Sequence, residues 1–282
     1  MKKPMLVVKD NLLMPIMAVE GRIAEIKSEM SLHDSPVVLT GLFLMLVSYV
    51  ESMQKSVLTH YLKYQPEELP GNKAMEIDKT LITTNENFHF VEHLISDVVR
   101  RMSYPQFAEV FYKTLRINKP GNESVIGEIK QRRNEVIHNN LKMDFKHKRS
   151  EPEHINTDYL TYSINQYSMY LNSLKTEIES TYAKCTRLNA LRELWRYTFA
   201  TPLCAVFEEF WYIDTDTDSI VGCKTVERER SLSHSEVFML GIWRSQVSGY
   251  KVDFINMSSL GEHMQYCLYT FLKLSNDIFM YK

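Results

Sequence analysis

Fifteen consecutive uncharged residues, Pro36 to Val50, constrain the fold most strongly. Placed on a helix, they are apolar on nearly every side, and a charge returns only at Glu51. A bilayer crossing needs about 20 apolar residues, so we expect a buried core helix and no membrane association. A helix apolar all round must be covered on several sides, by its own domain or by a second subunit. Pro36 suits the first helical position, where its fixed φ is already helical and its missing N–H would have no partner. Asp34 or Ser35 would act as the cap. The helical pattern runs to about Tyr64, and the segment PEELPGN at 66–72 ends it.

Composition supports a helical chain. The 282 residues hold only 9 Gly and 9 Pro against 15 Met, 16 Tyr and 13 Phe, so breakers are scarce and large side chains are plentiful. Hydrophobic residues at 44% and charged residues at 24% are ordinary globular usage and exclude wholesale disorder. A net charge of −2 excludes bulk electrostatic attraction to nucleic acid, so any such site must be a local patch. Lys9 and Asp10 interrupt the apolar N-terminal run, which therefore does not have the pattern of a secretory signal. Cys185, Cys204, Cys223 and Cys267 form no CxxC pair. They are expected to be free thiols in a reducing, cytoplasmic setting.

The expected fold class is mainly α, with helices over about 11–30, 36–64, 88–102, 105–116, 123–141 and 157–184. Asn122 is placed to cap the helix from 123, with Glu123 in its first turn. Beyond 185, helices are expected over 187–200, 234–247 and 260–280. The last two are opened by the Ser233/Glu236 and Ser259/Glu262 capping boxes. Phe207 to Thr215 and Ile220 to Val226 flank the turn DTDTD at 214–218, giving a small β-hairpin near 206–227. These elements divide the chain into an N-terminal helical extension (1–35), a helical bundle (36–185) and an accessory C-terminal region (186–282).

One segment carries a compact set of reactive groups: Lys130-Gln131-Arg132-Arg133-Asn134-Glu135-Val136-Ile137-His138. Asn134 and His138, four apart, share a helical face. Arg133 lies about 140° round the helix from His138, within reach of its long side chain, and Arg132 lies on the other flank. An imidazole with a pKa near 6.5 exchanges protons with a ribose 2′-OH or a leaving 5′-oxygen at neutral pH. A guanidinium holds a phosphate through a fork of N–H groups and stabilises its developing charge. This set suits RNA phosphodiester cleavage without a metal or other cofactor. Between Ile129 and Arg149 stand seven Lys and Arg (Lys130, Arg132, Arg133, Lys142, Lys146, Lys148 and Arg149) against Glu135 and Asp144. The net of +5 is a local attractor for a polyanion.

RRNEVIHNN resembles the Arg-polar-x3-His signature of the HEPN superfamily, and the order of elements is similar to its RiboL-PSP type. An apolar helix with an acid in YVESMQKSVLTHYL (49–62) comes first, then the Arg-Asn-x3-His helix, then a long closing helix. The resemblance covers about residues 36–184. It implies a dimerising helical bundle, with Arg133 binding phosphate, Asn134 as the polar second position and His138 as the catalytic imidazole. It further implies a metal-independent endoribonuclease that leaves 2′,3′-cyclic phosphate and 5′-OH ends. The target would be tRNA or mRNA, in a toxin or anti-phage role, with an antitoxin or sensor protein as a further partner. Where some HEPN toxins carry a modifiable Tyr two residues after the His, this chain has Asn140, which argues against that regulation.

Each of these residues also has a plainer reading. His138 can be a histidine hydrogen-bonded near a helix end. Glu51 can orient the Arg or His, or simply end the apolar run, and Arg132 can assist or be solvated. Lys130, Lys142, Lys146, Lys148 and Arg149 can track an RNA backbone or form a solvated face. Tyr162, Tyr167 and Tyr170 can stack bases or fill a core. Asp214, Asp216 and Asp218 lack the Gly and distal Glu of a calcium loop, and His89 and His93 lack the glutamate of a zinc helix. The alternative function is a non-catalytic dimerisation or RNA-binding module, or a sensor partner of another effector.

Overall fold

In the computed structural model, which describes residues 4, 6–65, 68, 90–102, 104–141, 154–199, 203–214, 219–223, 232–248 and 260–279, the chain is mainly α. Six long helices come first: α1 (Lys9–Leu32), α2 (Pro36–Tyr64), α3 (Phe90–Arg101), α4 (Tyr104–Leu115), α5 (Glu123–Leu141) and α6 (Thr157–Thr181). Then follow α7 (Arg187–Thr198), a 3-10 turn at Leu203–Ala205, and the single-turn α8 (Phe207–Phe210). The strands β1 (Trp211–Asp214) and β2 (Ser219–Cys223) precede α9 (His234–Ser248) and α10 (Glu262–Phe279). The described residues form two compact units, one from positions 10–183 and one from positions 4–9 together with those from 184 onward.

In the larger unit α2 is the central element. Its buried positions, among them Phe43, Leu46, Val47, Val50, Val57, Leu58, Tyr61 and Leu62, form one broad stripe, while Val37, Val38 and Met45 on the other side are exposed, so the all-round coverage expected from the sequence is not found. Packed against them are α3, α4, α5 and α6. By length and composition α2 is the one described helix that meets the requirements of a membrane span. Its most apolar window has a mean hydropathy of 1.6, and 44% of that window is buried inside the protein. Ser35 precedes Pro36 with extended backbone and makes no side-chain cap, so proline alone pre-sets the first turn. Helix α1 buries Leu12, Ile16, Val19, Ile23 and Ile26, a stripe at helical spacing. This stripe makes residues 10–32 part of the larger unit, where the sequence suggested a separate extension.

Local chemistry sets the helix ends. The side chain of Asn156 accepts from the N–H of Tyr159 at 2.8 Å and caps α6. Asn122, expected to cap α5, is used elsewhere: its Nδ2 donates to the Gln166 carbonyl at 2.9 Å and to Gln166 Oε1 at 3.1 Å, tying the α5 entry to α6. After α4, Arg116 takes a left-handed φ of 54°. The Ile117 N–H returns to the Tyr112 carbonyl at 3.2 Å, the closing bond of a Schellman turn normally built on glycine. The Tyr182 hydroxyl donates to the Leu115 carbonyl at 2.6 Å, so α6 and α4 end together.

The smaller unit is organised on an aromatic cluster. Trp195, Trp211 and Trp243, the only tryptophans of the chain, are buried with Phe199, Phe207, Phe210 and Phe271. Trp243 stacks on Phe271 at 4.3 Å and meets Trp195 edge-on at 5.3 Å. Burial of one such side chain removes roughly 150–250 Å² from water, at most about 4–6 kcal/mol each. Strands β1 and β2 pair antiparallel, with Trp211 opposite Cys223 and Asp214 opposite Ser219. Residues 207–210, expected as strand, are helical instead: Phe207 and Phe210 are buried one turn apart, and Glu208 and Glu209 between them are exposed. At the chain start Leu6, Val7 and Val8 are buried, and the Lys9 N–H donates to the Cys185 carbonyl at 2.7 Å.

Candidate functional site

The inward stripe of α5 is Ile126, Ile129, Lys130, Arg133 and Val136, and this periodicity fixes where each reactive side chain points. Arg133 lies near the middle of that stripe. Its Nε is fully buried without a hydrogen-bond partner, and its Nη1 donates to Asn134 Oδ1 at 3.0 Å. Asn134 and His138 occupy the exposed flank one turn apart. His138 stands in solvent in the last turn of the helix. Arg132, half-buried, reaches Glu135 Oε2 at 3.5 Å. Arg133 and Asn134 are therefore joined, and His138 shares the face of Asn134 alone. Lys142, Lys146, Lys148 and Arg149 lie outside the described residues.

Lys130 departs from the sequence-based grouping with the exposed basic face. It is 3% exposed, and its Nζ donates to Gln54 Oε1 at 2.8 Å. The Gln54 Nε2 in turn donates to the Tyr170 hydroxyl at 2.5 Å. Tyr170 and Tyr112 share a hydrogen bond at 2.9 Å, and Tyr112 donates to Glu123. Side chains from α2, α4, α5 and α6 thus form one buried polar chain through the bundle. Burial pushes the Lys130 ammonium down to about 8, opposed by Glu51 and Glu123 and reinforced by Lys55. Burial first, then Tyr170 and Glu123, hold Tyr112 protonated far above the usual phenol range.

Lys130 also lines a cleft of about 110 Å³ with Glu51, Gln54 and Lys55 from α2, Met102 beyond α3 and Phe107 of α4. Glu51, half-buried, lines the same cleft, and its charge acts on the Lys130 amine. The sequence carried one signal for this arrangement. Gln54 interrupts the otherwise apolar positions Val50, Met53, Val57 and Leu58, and Lys130 follows Ile126 and Ile129 on an apolar stripe. Polar residues at such positions must find each other when buried.

Tyr167 and Tyr170 are wholly buried, and Tyr162 remains exposed on α6. Cys185, Cys204 and Cys267 are free thiols, and burial raises Cys185 and Cys267. Among the described residues no three His, Cys, Asp or Glu are grouped to hold a metal ion. Asp216, Asp218, His89 and the side chain of His93 lie outside the described positions. No family model matches the chain, and neither curated proteins nor solved structures match it.

Proposed function

We propose that the chain is a metal-independent endoribonuclease of HEPN type, with Arg133, Asn134 and His138 as its reaction centre. One observation carries the reading: Asn134 Oδ1 holds Arg133 Nη1 at 3.0 Å while His138 stands exposed on the same helical face as Asn134. The amide holds one end of the guanidinium, and the imidazole one turn along from that amide is open to a ligand. His138 takes the proton of a ribose 2′-OH, and the 2′-oxygen attacks the adjacent phosphorus. The 5′-oxygen leaves as a hydroxyl and the phosphate closes into a 2′,3′-cycle. The Arg133 guanidinium binds the phosphate and stabilises its added charge. A second copy of the chain supplies the acid that protonates the leaving oxygen, so the working species is a homodimer. Its substrate is tRNA or mRNA in the cytoplasm, in a toxin or anti-phage role under an antitoxin or sensor protein. The basic residues Lys142, Lys146, Lys148 and Arg149 steer the RNA toward this centre.

A scaffold reading has its own specific observation. The buried Arg133 Nε belongs to a side chain that is partly a structural member of the bundle. Product chemistry separates the two readings. Purified protein is incubated in EDTA with total tRNA and with a long single-stranded RNA, and the ends are mapped. The proposal requires 2′,3′-cyclic phosphate and 5′-OH ends. Ends bearing 3′-OH and 5′-phosphate, or RNA bound but left intact by a verified dimer, contradict it.

A further inference from the structure

The buried amine of Lys130 lies outside the proposed nuclease centre, and its surroundings have a chemistry of their own. Its Nζ is held at 2.8 Å by Gln54 Oε1, and Gln54 is itself fixed because its Nε2 donates to Tyr170. The amine borders a cleft of about 110 Å³, room for a molecule of a few heavy atoms. Glu51, a carboxylate with no hydrogen bond or ion pair among the described residues, borders the same cleft, as does Lys55. Met102 and Phe107 supply an apolar wall. We infer that Lys130 is a nucleophilic lysine that condenses with a small aldehyde or ketone admitted by this cleft.

The geometry supports each part of that reaction. The bond to Gln54 Oε1 fixes the position of the nitrogen, whose neutral form attacks a carbonyl carbon. The N–C bond forms as the carbonyl oxygen takes a proton, giving a carbinolamine. That hydroxyl then leaves as water while the nitrogen loses its proton and the C=N bond forms. One amine and one carbonyl become one imine and one water, with no oxidant or reductant. Glu51 is placed to accept the proton released by nitrogen and to return it to the departing hydroxyl. Lys55 favours a carbonyl compound that also carries an acidic group. Burial keeps the amine partly unprotonated near neutrality, where an ordinary lysine is almost wholly charged. Among the described residues, the charged and titratable groups around it include Glu51 and Lys55 on α2, Tyr112 on α4, Glu123 on α5 and Tyr170 on α6.

The test uses the full chain, first unsubstituted and then as the Glu51→Gln variant. Folded protein is treated with propanal and cyanoborohydride at about pH 7.5, and alkylation is followed lysine by lysine by mass spectrometry. At that pH an amine titrating near 8 is about one-quarter neutral, so Lys130 should react at least ~10-fold faster than the exposed Lys27 and Lys113. The preference should vanish in concentrated urea. Glu51→Gln should slow Lys130 several-fold and leave Lys27 unchanged, with helicity checked by circular dichroism. Alkylation of Lys130 at or below the rate of Lys27 in the folded protein overturns the proposal, and an unchanged rate in Glu51→Gln overturns the role of Glu51. Neither result bears on RNA cleavage, so the two proposals fail separately.

Discussion

Gln54 and Lys130 link two helices through a buried 2.8 Å bond. Gln54→Leu removes that acceptor from a buried ammonium and should destabilise the protein by about 1–3 kcal/mol. Urea midpoints measure this directly. Combining Gln54→Leu with Lys130→Met should cost less than the sum of the two, because no charge is then buried. The amine also makes stability depend on pH. Its folded value near 8 lies below the ordinary 10.5, so between about pH 8 and 10 the unfolded chain binds the proton and the folded chain does not. Stability therefore rises with pH across that window, and below pH 8 the fold carries the cost of burying the ammonium. Above about pH 10 the unfolded Tyr112 ionises while the folded one does not, which opposes the gain. Relative to Lys130→Met, the wild type should gain stability from pH 7.5 to 9.5. A flat difference would contradict the burial argument. At this scale the sequence was least informative. The spacing of Arg133, Asn134 and His138 could be read, but Arg133 turning inward and Lys130 leaving the basic face depend on which stripe of α5 packs.

The long helices were legible because their signals are local. Pro36 begins α2 as N1 chemistry requires, and Ser233 with Glu236 forms the expected capping box, the Ser233 N–H donating to Glu236 at 2.9 Å and the Glu236 N–H to Ser233 at 3.3 Å. Two other elements escaped for tertiary reasons. Asn122 could have capped α5, yet Gln166 claims its amide. Phe207 and Phe210 resembled strand residues by bulk, yet packing on Trp195 selects the period of a helix. Cap removal should behave as capping chemistry dictates. Asn156→Ala loses the bond to the Tyr159 N–H and should cost about 1 kcal/mol, read as a lower thermal midpoint. Ser233→Ala should cost a similar amount at the start of α9. No change in either variant would show that those helix ends are held by packing instead.

Across the whole molecule, the two compact units differ in what holds them together. The larger joins four helices through one polar chain, and the smaller holds all three tryptophans around Trp243 and Phe271. Tryptophan fluorescence is thus a probe of the smaller unit alone. The mainly helical class could be read from scarce breakers and long periodic runs. The joining of residues 10–32 to the larger unit could not, because a helical stripe does not name the surface it packs on. The central claim concerns His138, and one comparison tests it most directly. RNA cleavage in EDTA is timed for wild type and His138→Ala at equal helicity and equal RNA affinity. A positioned acid–base group contributes roughly 10²–10⁴-fold, so the variant should lose at least ~100-fold in rate while still binding RNA. Equal cleavage by both proteins would contradict the role of His138 and the account built on it.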